Sequence, residues 1–169
     1  MLTKTDIEKY FMAEKSESLL FIIIGTTAIL LSLIFFFYLK SNWYKGASIP
    51  LLIVGIMHLV VGTIIFKRSD KDRIRVVYAL SMNPGEIRSK EIPRMELVNK
   101  KFVTYRYTEI GLLMAGLALL FIFRVQPDKR FWVGLGLALA IEAAVSLGAD
   151  YFAEKRAVTY TSQLKSLKS

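Results

Sequence analysis

Leu19-Leu20-Phe21-Ile22-Ile23-Ile24-Gly25-Thr26-Thr27-Ala28-Ile29-Leu30-Leu31-Ser32-Leu33-Ile34-Phe35-Phe36-Phe37-Tyr38-Leu39 is a run of 21 residues without a charge. A helix crossing roughly 30 Å of hydrocarbon needs about 20 such residues. Polarity does not alternate along the run, as it would in a transmembrane β-strand of about ten residues. Nor is there the charged face that a helix of a soluble bundle presents to water. The run is too long for the apolar core of a signal peptide, follows the acidic residues Glu8, Glu14 and Glu17, and ends without a small-residue cleavage site, so it reads as a retained span.

Three further blocks repeat the pattern. Residues 47–66 hold no ionisable residue apart from His58, and residues 131–149 none apart from Glu142. The third block has a strictly apolar part of only 14 residues, Ile110 to Phe123, which Tyr107 and Thr108 lengthen and Glu109 interrupts. The expected fold is all-α: a polytopic membrane protein with one membrane domain over residues 1–169, and spans at 19–39, 47–66, 107–123 and 131–149. The hydrophobic fraction of 54% is concentrated in these blocks, and the chain has no cysteine. That distribution excludes a disordered chain and a disulfide-stapled module.

The net charge of +9 comes from 23 Lys and Arg against 14 Asp and Glu. Eighteen of the basic residues lie in the N-terminal segment, the long middle segment and the C-terminal segment, and five in the two short loops between spans. Positive charge stays on the cytoplasmic side. Both termini are therefore expected in the cytoplasm, in a multi-pass protein of a cell (inner) membrane. Trp43, Tyr44 and Trp132 fall at the opposite boundary, where amphipathic rings collect. The basic surplus is then explained by topology and anionic headgroups, and nucleic acid is not an expected partner.

The charged segments read as helical continuations of the spans at 5–18, 69–82, 93–106 and 150–167. Thr5-Asp6-Ile7-Glu8 has the form of a capping box, and Ser69-Asp70-Lys71-Asp72 can start a helix again. Asn83-Pro84-Gly85 signals a turn, so the connection is expected near residues 82–92, and Pro93 suits a first helical position. The sum is an up-down four-helix bundle, part of it projecting into the cytoplasm; the alternative is that residues 93–106 and 5–17 lie flat on the membrane as amphipathic helices. Two short echoes hint at a repeated hairpin. Glu17-Ser18-Leu19-Leu20 resembles Glu109-Ile110-Gly111-Leu112-Leu113, and Tyr10 to Lys15 echoes Tyr151 to Lys155. The second echo links the first helix to the last and does not fit a hairpin repeat, and both are short enough to arise by chance. Any such repeat would be parallel.

Ionisable groups inside a membrane are costly and mark function or a specific partner. His58 and Glu142 each lie 11 residues in from the loop end of their span, about 16 Å deep, and both share a face with small residues. With Ser146 they form the expected intramembrane polar site, either for protons or ions or as a pair that fixes helix register. Glu109, Glu17 and Asp150 are expected to pair with Arg106, Lys15 and Lys155 or Arg156. Arg94, Lys100, Lys101 and Arg106 are expected to meet lipid headgroups or a partner. No cofactor and no metal is expected. One histidine leaves no His-pair metal motif, and no phosphate-binding loop or nucleophile motif is present. A non-enzymatic protein is thus expected, most simply an accessory, assembly or immunity-type subunit with membrane lipid and a protein partner or a second copy around it. The alternative is an oligomeric proton or ion channel using Glu142 and His58.

Overall fold

A computed structural model describes residues 2–167. It is all-helical. Four helices account for nearly the whole chain: α1 Lys4–Leu39, α2 Asn42–Met82, α3 Pro84–Phe123 and α4 Pro127–Ser166. Each is long and apolar enough to cross a membrane. At 1.5 Å per residue, 36 to 41 residues exceed a 30 Å hydrocarbon layer by well over half. Each helix therefore has an apolar part and a charged part. The charged parts gather at one end, here the terminal end, with both chain termini and the α2–α3 connection. The α1–α2 and α3–α4 loops lie at the other, the loop end.

Local structure departs from the sequence expectation in three places. The N-cap of α1 is Thr3, not Thr5. The Asp6 carboxylate accepts from the Thr3 backbone N–H at 2.9 Å, and the Asp6 N–H donates to Thr3 Oγ1 at 3.2 Å. A carboxylate three residues past a threonine closes the box whether it is Asp or Glu, and Glu8 instead pairs with Lys4 at 3.7 Å. Helix α2 does not restart at Ser69. The Ser69 hydroxyl donates back to the Ile65 carbonyl at 2.8 Å, so the helix runs through without a break. The α2–α3 connection is not a loop over 82–92 but a break at Asn83 alone, after which Pro84 opens α3. Residues Ile87–Glu91 widen into a π-helical turn, with the Ile92 N–H donating to the Ile87 carbonyl five residues back. Pro93 cannot donate and its ring crowds the carbonyl four residues earlier, and the widened turn accommodates it.

Helices α1 and α2 form one antiparallel hairpin, α3 and α4 the other, and the two join through α2 and α4, which run side by side in the same direction. These contacts are tight because they are made by glycine. A Cβ on Gly25 of α1 would stand 2.6 Å from the Gly55 carbonyl oxygen of α2, and one on Gly116 of α3 2.7 Å from that of Gly136 in α4. Between α2 and α4 the approach is reciprocal: a Cβ on Gly46 would overlap the Phe131 carbonyl, and one on Gly134 the Trp43 carbonyl.

That reciprocity extends over the chain. Shifting the first hairpin by 88 residues carries its helices, and about half of its buried positions, onto those of the second. Ile7 and Met95, Ala28 and Gly116, Gly46 and Gly134, Ser48 and Gly136, Gly55 and Ala143, Ser69 and Ala157, and Val76 and Leu164 are all buried pairs at that spacing. Two parallel copies of one hairpin meeting through the same face make a pseudo-two-fold arrangement. The spacing is not the one suggested by the Glu17 and Glu109 echo, which is four residues longer.

Candidate functional site

His58, Glu142 and Ser146 lie along the α2–α4 seam, while Ser32 donates to the Ser48 carbonyl between α1 and α2 at 2.7 Å. His58 Nε2 is 3.3 Å from the Ser146 hydroxyl, and these two are positional mates, 88 residues apart. Mates touch where a two-fold axis passes between them, so the pair marks the centre of the seam. The His58 ring also stacks on Phe21 of α1 at 5.2 Å between centroids. Its other nitrogen, Nδ1, is buried without a partner. Glu142 is 7% exposed and has no hydrogen-bond or ion-pair partner among the described residues. It lies one turn nearer the loop end than Ser146, on the same face of α4. His58 therefore faces Ser146 rather than Glu142, and the equal depth expected for His58 and Glu142 is offset by one turn, about 6 Å. The positional mate of Glu142 is Val54, which makes Glu142 a departure from the repeat.

Where the apolar zone meets the charged parts, the ion pairs run between helices rather than along them. Glu17 of α1 is bonded by both terminal nitrogens of Arg156 in α4, Lys15 of α1 by Asp70 of α2, and Arg106 of α3 by Glu154 of α4 at 3.1 Å. The expected Lys15–Glu17 pairing fails because residues two apart on a helix face different ways. The other expected pairings lose their cations: Arg106 and Arg156 are both engaged across the bundle. Glu109 lies beside Asp150 instead, carboxyl group against carboxyl group between α3 and α4.

Beyond them the four helix ends pack on a core of large side chains: Ile7, Tyr10, Phe11, Val76, Ile87, Met95, Tyr160 and Leu164. Tyr10 and Tyr160 stack face to face, 4.0 Å between centroids and 9° apart. Burial pushes both phenols above their ordinary pKa, so both stay neutral. Glu91, fully buried, is the ionic centre of this core. It accepts from Arg75 at 2.9 Å, from Arg94 at 2.6 and 3.0 Å, and from the Tyr160 hydroxyl at 3.5 Å. Burial works against the Arg94 charge, but the bond to Glu91 and its charge outweigh that and hold the guanidinium above its ordinary pKa.

Of the four cations expected at headgroups or a partner, Arg94 is thus turned inward onto Glu91 and Arg106 onto Glu154. Lys100 and Lys101 are exposed, with no ion pair among the described residues. The Glu91 cluster was not foreseen, because its members are scattered: Arg75 lies 16 residues before Glu91 and Tyr160 lies 69 after it. The 88-residue repeat did have a signal. Trp43-Tyr44-Lys45-Gly46 and Phe131-Trp132-Val133-Gly134 are the same aromatic-aromatic-x-Gly string at that spacing.

No family model, no curated protein and no solved structure matches the chain.

Proposed function

We propose that the protein is a small non-enzymatic integral membrane subunit of an accessory, assembly or immunity type, which binds another protein through its terminal end. In this reading the four helices cross a cell (inner) membrane up and down, with both termini and the terminal-end core in the cytoplasm. The charge asymmetry supports that orientation. The observation that carries the functional reading is the terminal-end core itself. Tyr10, Phe11, Met95 and Tyr160, tied by Glu91, give the charged helix ends a fixed shape outside the apolar zone. A platform of fixed shape binds a protein with little ordering cost.

Tagged protein expressed at native level, treated with a short amine crosslinker in intact cells and purified in mild detergent, is expected to carry one companion protein in fixed ratio. Repeated recovery of this chain alone would overturn the reading.

A second reading, an oligomeric proton or ion pathway, is favoured by one observation, the buried and unpartnered Glu142 on the seam beside Ser146 and His58. Proton flux in proteoliposomes that falls in Glu142→Gln would support it, and flux indistinguishable from empty vesicles would remove it.

A further inference from the structure

The repeat supplies an internal control: a surface that differs between the two hairpins, at positions where the fold is the same, is a surface with its own task. One such surface stands at the terminal end of the first hairpin. A groove of ≈ 460 Å³ runs between α1 and α2, lined by Lys4, Glu8, Arg73, Ile74, Val77 and Tyr78. Ile74 is 65% and Tyr78 63% exposed, and exposed Met82 continues their line one turn on. Toward the apolar zone the same helical stripe carries Lys67 and Lys71, both exposed and without an ion pair among the described residues.

At the positions 88 residues on, the second hairpin is polar and closed. Ile74 and Tyr78 correspond to Ser162 and Ser166, whose hydroxyls donate to the Thr159 and Gln163 carbonyls on their own helix. Lys71 corresponds to Thr159. Glu8 and Val77 correspond to Glu96 and Lys165, and those two form an ion pair at 2.6 Å across the equivalent groove. In the first hairpin Val77 cannot make that bridge, and Glu8 pairs along its own helix with Lys4 instead of across to α2.

Lipid does not cover it. Ile74 and Tyr78 are 8 and 12 residues beyond Phe66, roughly 12 and 18 Å along the helix. The headgroup layer adds only about 5–8 Å to each side of the hydrocarbon. Two large apolar side chains on one face, in water, with unpaired lysines beside them, fit an amphipathic helix of opposite charge.

We infer that this groove docks an amphipathic helix of another protein, with apolar side chains over Ile74, Val77 and Tyr78 and carboxylates against Lys67 and Lys71. The inference rests on the protein-binding reading above and names the surface and the chemistry of the partner.

A photo-crosslinking amino acid placed singly at Ile74, Tyr78, Ser162 or Ser166 of the full-length protein, in cells, tests it. Positions 74 and 78 are expected to capture one protein, and the crosslinked peptide, sequenced by mass spectrometry, should have an apolar stripe flanked by Asp or Glu. Positions 162 and 166 should capture it at least tenfold less. Adding Lys67→Glu and Lys71→Glu should cut capture at 78 by a further tenfold or more, and these exposed positions leave the core untouched. Capture at 162 and 166 but not at 74 and 78 would overturn the groove while leaving the protein-binding reading intact. Adducts only with lipid or with a second copy of this chain would overturn the groove as well. If no position at the terminal end captures any protein, both fall.

Discussion

In the apolar zone α2 meets α4 through Gly46 and Gly134, with backbone almost on backbone, whereas at the terminal end α1 meets α4 through Tyr10 stacked on Tyr160. The same helices thus change packing method along their length. The reason lies in the solvent outside. In lipid, apolar side chains gain nothing by leaving the surroundings for a helix interface, so association depends on close van der Waals approach, which small residues allow. Leu20, Ile23, Leu30, Ile53 and Ile64 accordingly point outward. In water, burying a large side chain contributes roughly 1.5–3 kcal/mol, and the large residues turn inward. The polar groups follow the same division. Between helices of the apolar zone the side-chain hydrogen bonds are few and neutral, Ser32 to the Ser48 carbonyl and His58 to Ser146, while the terminal end carries a four-member cluster at Glu91.

The comparison is broken most severely at Glu91. Glu91→Gln removes the charge but keeps the shape, leaving Arg94 with no acid partner and Arg75 with Asp72 and Glu86 alone. Removing one member of a buried ion pair costs about 3–5 kcal/mol. Loss of that size is expected in reversible unfolding of the detergent-solubilised protein. It should be accompanied by loss of tyrosine near-UV circular dichroism, because Tyr160 bonds to the same carboxylate. A variant as stable as the parent would mean that the core does not depend on its ionic centre.

Gly134→Ala probes the other zone with a single methyl group. Its Cβ would overlap the Trp43 carbonyl, which is backbone and cannot rotate away, so α2 and α4 must separate. Overpacking costs about 1–3 kcal/mol, and the damage should be local to the seam. The expected signature is a lowered unfolding midpoint with the tyrosine signal of the terminal end retained until the transition. Gly46→Ala should behave alike, since the two positions are mates. Unequal effects would show that the pseudo-two-fold relation is not carried into energetics.

These two zones were not equally legible in the sequence. Four long apolar helices are legible because a bilayer imposes length and apolarity on each helix independently of its neighbours. The small-residue line Gly134, Ala138, Glu142 and Ser146 was visible for the same reason, as a periodicity within one helix. His58 and Ser146 do meet across two helices, but the ion pairs that depend on which helices are neighbours do not follow from the sequence. Glu17 was assigned to Lys15 and belongs with Arg156, and Arg94 was assigned outward and belongs with Glu91. Long cationic side chains reach several candidate acids, and only the packing order of the helices selects among them. The repeat is hard to see in runs of similar letters because it lies more in burial: Ser69 matches Ala157, and Val76 matches Leu164, by position rather than by identity.

The smallest expected effect isolates the cause of the largest contrast. Gly111 and Gly148 are also glycines of long helices, yet a Cβ on either would meet nothing within 4 Å among the described residues. Gly148 lies on the same helix as Gly134, so Gly148→Ala and Gly134→Ala change the same atom in the same element. They differ only in what lies opposite. Alanine is favoured over glycine within a helix by up to about 1 kcal/mol, so Gly148→Ala and Gly111→Ala are expected to leave the unfolding midpoint unchanged or to raise it slightly. A fall comparable to that of Gly134→Ala would mean that glycine serves these helices through flexibility rather than close approach. The account of the apolar zone as a backbone-to-backbone interface would then have to be given up.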